Sequence, residues 1–244
     1  MKNPINILII ILLATISGKV IAADNPPNSA NALSYVKLDF SYNLSKQKFT
    51  NRCGGTLIAD DLVLTASHCL NQQWINANSK ELSIYYGKEF IMYAGLHSGK
   101  SWVQFDPEVD LAIIQLDRKI DPNSGAIVAK LDAPCPSGPK VKYPLRAIFY
   151  QRMDDDGKSL PLTDYQTTTT YFETFAKSEL ANGYAYLSRK VGNAGDSGSS
   201  VFSKSNILIG VMNGNSDYTH CNSAAVCFYR DRIDAESKKL HQNK

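Results

Sequence analysis

The stretch 192–202 reads Gly-Asn-Ala-Gly-Asp-Ser-Gly-Ser-Ser-Val-Phe, and it places Ser197 between an aspartate and a glycine. The segment then becomes apolar, which is typical of a buried strand. Glycine adopts backbone angles that other residues avoid, so Gly195 and Gly198 allow a sharp turn that directs amide N–H groups at a reacting oxygen. Ser197 is therefore a candidate nucleophile. An ordinary turn rich in glycine and serine is the alternative interpretation, and this motif alone does not decide between the two.

A serine hydroxyl is a weak nucleophile at neutral pH and needs a nearby base, which a third group orients. Of the four histidines, His68 lies at the end of an apolar run and beside Cys69, which could hold it in place. Asp110 directly precedes the apolar run 111–114, where a carboxylate would be shielded from water. Each of the two also has a structural interpretation, as a packed histidine and as a surface aspartate at the start of a strand. Together with the serine they form a candidate catalytic set.

Many short runs of β-branched and aromatic residues, bounded by glycine, proline and charged residues, predict an all-β protein built as an antiparallel barrel or sandwich. The segment 117–140 contains the densest cluster of proline and glycine and predicts a connection between two lobes. The polar stretch 153–164 is predicted as a solvated turn and 234–244 as a short surface helix. The predicted strands are 35–40, 53–58, 62–66, 82–86, 90–93, 102–105 and 111–116 before the connection, and 146–150, 167–175, 184–187, 200–202, 207–212 and 226–229 after it.

Residues 1–22 have the three parts of a secretory signal peptide: a basic start, the apolar run 7–16 and small residues before the predicted cleavage site. The apolar run is too short to span a bilayer comfortably, so we expect no membrane anchor. The net charge is +3, or +1 without Lys2 and Lys19 of the signal, which gives no electrostatic case for nucleic-acid binding. We therefore expect a secreted or periplasmic protein whose mature chain starts near Ala23.

Five cysteines remain in the predicted mature chain, and an odd number in an oxidising compartment leaves at least one thiol free or bonded to another chain. Zinc is an alternative because His68 adjoins a cysteine, but the sequence has no Cys-x-x-Cys pair and no second histidine close by. We therefore predict no metal and no cofactor. The cysteines are Cys53, Cys69, Cys135, Cys221 and Cys227.

Four motifs, taken in their order along the chain, resemble those of the chymotrypsin/trypsin-type serine endopeptidases. The resemblance extends from about Tyr35 to Ile233 and is weak between 151 and 190. The motifs are Cys-Gly-Gly-Thr-Leu-Ile at 53–58, Leu-Thr-Ala-Ser-His-Cys at 64–69, Asp-Leu-Ala-Ile-Ile-Gln-Leu at 110–116 and Gly-Asp-Ser-Gly-Ser at 195–199.

The resemblance implies an all-β fold of two antiparallel six-stranded β-barrels packed side by side, with a short C-terminal helix. The first barrel would lie within 23–128 and carry His68 and Asp110. The second would lie within 129–244 and carry Ser197. A polypeptide would be the substrate, and the protein would be a monomer unless one of its cysteines bonds to another chain.

The resemblance also implies a role for each residue of the candidate set. Ser197 would attack the scissile carbonyl, His68 would take its proton and return it to the leaving amine, and Asp110 would orient the imidazole. The backbone N–H groups of Gly195 and Ser197 would form the oxyanion hole. Asp196 would form the ion pair with a new N-terminal amine that activates such enzymes.

The cysteines follow the family's pattern only in part. Cys53 and Cys69 match its disulfide beside the histidine, but Asn193 replaces the cysteine usual ahead of the serine. Cys221 and Cys227 could instead bridge a local loop beside the substrate pocket. Cys135 would then lack a partner within the chain and could bond to another molecule.

The residues that would line the substrate pocket also depart from the best-known pattern. The resemblance implies that Val191 stands at the base of the pocket, where a preference for Lys or Arg would require a carboxylate. Val191 therefore favours an apolar side chain before the cut, with Asn215 and Cys227 as candidate walls and Asn213 as a further substrate-binding residue. Ser199 and Ser200 occupy positions where Gly-Pro is usual.

Two other functions remain open at this point. A catalytically silent protein of the same fold could bind a partner. An esterase is suggested by the spacing of Gly195 and Ser197, but its catalytic residues would follow the order Ser, Asp, His, and the motifs before residue 120 would be unexplained.

Overall fold

The computed structural model describes nine segments of the chain: 34–86, 95–105, 109–131, 144–149, 166–177, 184–189, 195–203, 207–215 and 220–242. These segments form two closed, antiparallel six-stranded β-barrels and a C-terminal helix. The predicted all-β fold class is confirmed. The predicted signal peptide, the strand 90–93, the turn 153–164, Cys135, Val191 and Asn193 lie outside the described residues.

The first barrel contains six strands, in the spatial order β1-β2-β3-β6-β5-β4. A short helix, α1 (Gln72–Asn76), packs against it through the buried Trp74, whose ring contacts that of Phe40. The strands are β1 (Tyr35–Leu44), β2 (Gln47–Ala59), β3 (Leu62–Thr65), β4 (Lys80–Tyr86), β5 (Gly95–Gln104) and β6 (Ala112–Leu116).

The second barrel has the spatial order β10-β11-β12-β9-β8-β7. The C-terminal helix α2 (Arg230–Gln242) follows it. The strands are β7 (Pro144–Phe149), β8 (Gln166–Lys177), β9 (Tyr184–Arg189), β10 (Ser200–Phe202), β11 (Leu208–Asn215) and β12 (His220–Ala225).

The hairpin of β1 and β2 is longer than the sequence predicted. The two strands pair without interruption from Tyr35 opposite Thr56 to Leu44 opposite Gln47. Only Ser45 and Lys46 connect them, with φ of 46° and 74°. Positive φ at both positions is typical of the two-residue turns that match the twist of antiparallel strands, so this polar stretch forms a tight turn instead of a loop.

Side chains of β1 alternate as expected for a barrel wall, with Val36, Leu38 and Phe40 fully buried in the interior. The opposite face is also covered at the start of the strand, where Tyr35 is 0% exposed. This second face contacts the residues that follow Ser197, as described below, so one strand contributes to the first barrel's core and to the contact between barrels.

Residues 226–229, which were predicted as a strand, form a 3-10 helix instead. Pairing between β12 and β11 ends at Ala225, and Val226 is fully buried immediately afterwards. Packing of this turn against the core thus overrides the strand preference of its residues. The helix α2 then begins at Arg230, earlier than predicted, and buries Ile233 and Leu240 on one face.

Helix α2 also contacts the first barrel. Its His241 lies 2.7 Å from the buried carboxylate of Asp61, in the turn between β2 and β3. The guanidinium of Arg232 lies over the ring of Phe105, 4.7 Å from its centre. Within the described ranges, neither helix is both long and apolar enough to cross a bilayer.

Candidate active site

His68 is held by a short turn at the end of β3. Residues 67–69 form a 3-10 turn, and Cys69 is joined to Cys53 of β2 by the predicted disulfide. The disulfide ties the turn to the barrel wall on one side of the imidazole. The imidazole itself is half exposed, with 46% of its side chain accessible.

Asp110 holds both the backbone and the ring of His68. Its Oδ1 accepts from the His68 backbone N–H at 2.8 Å, and its Oδ2 lies 2.9 Å from Nδ1. Its backbone carbonyl accepts from Ser67 N–H at 3.1 Å. When the ring N–H at Nδ1 donates to this carboxylate, Nε2 keeps its lone pair and can accept a proton.

The backbone of Asp110 has a φ of 51°, in the left-handed region that few residues other than glycine occupy. Directly after it, the carbonyl of Leu111 accepts from Phe105 N–H at 2.8 Å, and β6 begins at Ala112. Aspartate tolerates this conformation better than most side chains. The turn therefore presents the carboxylate toward the His68 turn before the chain enters the barrel.

Ser197 lies in a turn that is fixed to β11 of the second barrel. Gly198 N–H donates to Met212 O at 2.6 Å, and Met212 N–H donates to Ser199 O at 2.9 Å. The turn has positive φ at Gly195 and at Gly198, 93° and 80°. The predicted sharp turn around the serine is therefore present.

The same turn contacts β2 of the first barrel. Gly54 N–H donates to Ser197 O at 2.7 Å. A Cβ on Gly198 would lie 2.2 Å from Gly54 O, so only glycine fits there. Gly54 O also accepts from the hydroxyl of Thr65 at 2.7 Å, and Thr65 ends the strand that leads to His68. The backbone of one residue, Gly54, thus links the serine turn to the histidine strand.

Within the described residues, no hydrogen bond of 3.5 Å or less joins Ser197 to His68. The structure therefore brings His68 and Asp110 into contact and holds Ser197 through backbone contacts alone. Nucleophile–base distances of this kind are often long in unliganded enzymes and shorten when substrate binds.

The two amides predicted for the oxyanion hole are those of Gly195 and Ser197. Neither N–H donates a hydrogen bond to any group in the described part of the chain. The neighbouring Asp196 is fully buried, with 0% exposure. Two amides one residue apart, without an acceptor among the described residues, are suited to bind an oxygen that gains negative charge.

The predicted substrate-binding residues lie at the end of β11. Asn213 accepts from Ala224 N–H at 2.9 Å, while its buried Nδ2 has no hydrogen-bond partner among the described residues. At Gly214, an added Cβ would meet no atom of the described residues within 4 Å. Asn215 pairs with Cys221 through the backbone. Among the described residues, this strand end is therefore open on the side of the glycine.

Cys227 is disulfide-bonded, and its pairing with Cys221 stays a prediction. Cys221 lies in β12, which continues to Ala225, and an extended strand separates those two Cα atoms by about 13 Å. Ala225 is itself extended, with φ −78° and ψ 103°. Disulfides join Cα atoms about 4.4–6.8 Å apart, so a bridge to Cys221 would require the chain after Ala225 to turn back along β12.

The sequence did not indicate the part played by Gly54 and Thr65. Both belong to motifs that carried the family resemblance, but their contacts with the serine turn are between residues far apart in the chain.

No group of three or more potential ligands that could hold a metal ion occurs within the described segments.

The Trypsin family model matches residues 31–232. Neuropsin, a serine protease expressed in the limbic system of mouse brain, is 16% identical with a TM-score of 0.64, over 86% of this chain and 96% of that chain. HL collagenase is 17% identical with a TM-score of 0.62, over 86% and 95% of the two chains. Human heparin binding protein is 15% identical with a TM-score of 0.61, over 85% and 92%.

At these identities the solved structures show a shared fold, and the family model covers most of the chain. The chain belongs to the trypsin family.

Proposed function

We propose that this protein is a secreted or periplasmic serine endopeptidase. The observation that carries the proposal is the pair of contacts from Asp110 to the backbone and ring of His68, at 2.8 and 2.9 Å. These contacts orient the imidazole and leave its Nε2 available as a base. The Ser197 turn contacts the same barrel through Gly54. The family match and the fold shared with neuropsin and HL collagenase support a peptide substrate.

The reaction would proceed through an acyl-enzyme. His68 Nε2 takes the proton of the Ser197 hydroxyl while its oxygen attacks the scissile carbonyl carbon. The amides of Gly195 and Ser197 donate to the oxyanion that forms. The intermediate expels the amine, which receives the proton from His68, and water then hydrolyses the ester by the same steps. Asp110 stabilises the protonated imidazole throughout.

Specificity and activation are further parts of this proposal. Val191, at the position where the family pattern predicts the base of the pocket, supports a preference for an apolar side chain before the cut, with Asn213 and Asn215 as the other predicted substrate-binding residues. Signal cleavage near Ala23 would provide the amine for Asp196. A panel of chromogenic peptides tests the preference, and rapid cleavage after arginine with none after leucine or phenylalanine would contradict it. The intact mass of the active protein tests the start of the chain.

The catalytic proposal is tested with a fluorophosphonate label and casein digestion. We expect the native protein to be labelled at Ser197 and to digest casein, and Ser197→Ala to do neither. Ser41→Ala, which removes an exposed serine hydroxyl of the β1–β2 hairpin, is the matched control and should keep both activities. An unlabelled native protein would favour a silent binding protein. Labelling with turnover of esters but not of peptides would favour an esterase.

A further inference from the structure

The predicted nucleophile and its base belong to different barrels. His68 follows β3 of the first barrel, and Ser197 precedes β10 of the second. Because no hydrogen bond joins the two side chains in the described structure, their separation depends on the contacts between barrels. Contacts close to Ser197 are therefore candidates for groups that set the geometry of the reaction.

Two residues of the first barrel with hydroxyl groups face the junction, which is the contact between the two barrels close to Ser197. Tyr35 of β1 and Thr56 of β2 are directly opposite each other in the sheet, so they project from the same face. Both are 0% exposed. Beneath them, on the second barrel, lie Ser199 and Ser200, which are also 0% exposed.

The hydroxyls are paired across the junction. Thr56 Oγ1 lies 2.5 Å from Ser200 Oγ, and Tyr35 Oη lies 3.4 Å from Ser199 Oγ. The Thr56–Ser200 pair lies within hydrogen-bond distance, and the Tyr35–Ser199 pair is longer than the usual range for two hydroxyls. The Thr56–Ser200 contact is therefore the stronger of the two side-chain links between the barrels at this point.

The position of Ser200 affects that of Ser197, because the backbone between them is short and held by hydrogen bonds. It is the first residue of β10 and pairs with Val211 of β11 and Ile148 of β7, so its backbone is part of the second sheet. Only Gly198 and Ser199 separate it from Ser197, and both are anchored to Met212 by backbone hydrogen bonds. Thr56 is similarly fixed in the first sheet, opposite Leu64 of β3.

We propose that Thr56 and Ser200 are positioning residues, whose buried hydroxyl pair sets the placement of Ser197 relative to His68. The inference rests on the proposed peptidase function, and it assigns a role to a serine that stands where proline is usual. A displacement of about 1 Å between reacting groups can lower a rate by about a hundredfold, so a small shift at this junction would be measurable in kcat.

The test compares Thr56→Val, Ser200→Ala and the double variant, with Thr56→Ser as the conservative change. Each single variant should lower kcat by about tenfold with KM changed by less than about twofold, since the displaced group acts on the reaction and not on substrate binding. Each should also lower Tm by about 3 °C, because one buried hydroxyl loses its partner. Thr56→Ser keeps the hydroxyl and should keep kcat.

The double variant separates positioning from a structural role. With both hydroxyls removed, no buried group is left without a partner, so Tm should recover toward the native value. The value of kcat should remain low, because the link between the barrels is still absent. Recovery of kcat together with Tm would show that the pair only stabilises the fold, and would overturn the proposal.

Ser41→Ala and Thr50→Val provide the matched control. These residues form another hydroxyl pair, at 3.1 Å, between β1 and β2 of the first barrel, on the exposed part of the hairpin and not between the barrels. Both variants should keep native kcat. If Thr56→Val does not fold, Ser200→Ala gives the same measurement.

An active native protein whose Thr56→Val and Ser200→Ala variants both retain native kcat overturns the positioning role alone. A native protein that turns over neither peptides nor esters and remains unlabelled at Ser197 overturns the proposed function and this inference with it.

Discussion

Asp110 shows how much of the candidate site depends on the conformation of one residue. The sequence indicated a shielded carboxylate before an apolar run, and the structure places that carboxylate on His68. The sequence did not indicate the positive φ of Asp110, because this backbone angle is imposed by contacts on both sides, with Ser67 and through Leu111 with Phe105. A residue-level pattern can identify a functional group without showing how its backbone is held.

We predict that Asp110→Asn lowers kcat by about 10³–10⁴-fold with little change in Tm. Asparagine tolerates the left-handed conformation, but it lacks the charge that stabilises a protonated imidazole and favours the wrong ring tautomer. Asp110→Ala should lower both kcat and Tm, because alanine is strained at this φ. Steady-state kinetics and thermal melts measure both quantities. Asp117→Asn is the control, and an Asp110→Asn variant within tenfold of its kcat would contradict the assigned role.

Among the elements, the strands of the first barrel were the most predictable. Runs such as 62–66 and 111–116 correspond closely to β3 and β6, because their apolar residues are buried in the barrel core. The 3-10 helix at 226–229 was not predictable, since Val-Cys-Phe-Tyr favours a strand and only its packing after β12 makes it a turn. Local preference indicates an element reliably where tertiary packing agrees with it.

The strand β12 also leads to a prediction about the cysteines. Cys53 and Cys69 bond to each other, and the extended strand β12 leads away from Cys221 before Cys227 is reached. Cys135 is the other candidate partner within one chain. We expect peptide mapping without reduction to recover Cys135 linked to Cys227, and alkylation to modify Cys221. A peptide containing Cys221 linked to Cys227 would contradict this.

At the scale of the whole molecule, the family resemblance predicted two barrels of six strands and a terminal helix, and these are confirmed. What joins the barrels could not be predicted. The contacts of Gly54 with Ser197, of Thr56 with Ser200 and of His241 with Asp61 connect residues more than 140 positions apart. Neither spacing nor hydrophobic pattern contains information about such pairs.

The contact of α2 with the first barrel should contribute to stability and not to catalysis. We predict that His241→Ala lowers Tm by about 2–4 °C, because the buried carboxylate of Asp61 loses a hydrogen bond at 2.7 Å. Its kcat should equal that of the native protein. Lys239→Ala, which removes an exposed ion pair with Glu236 on the same helix, should change Tm by less than about 1 °C. Equal Tm values for the two variants would refute the prediction.

The backbone of Gly54 has a consequence for how such a protein can change over evolutionary time. Its N–H donates to the serine turn of the second barrel, and its carbonyl accepts from Thr65, in the strand that leads to His68. A Cβ at Gly54 would lie 2.5 Å from Ser199 Oγ, and one at Gly198 would meet Gly54 O. A chimaera that exchanges one half of the chain therefore has to inherit both glycines together.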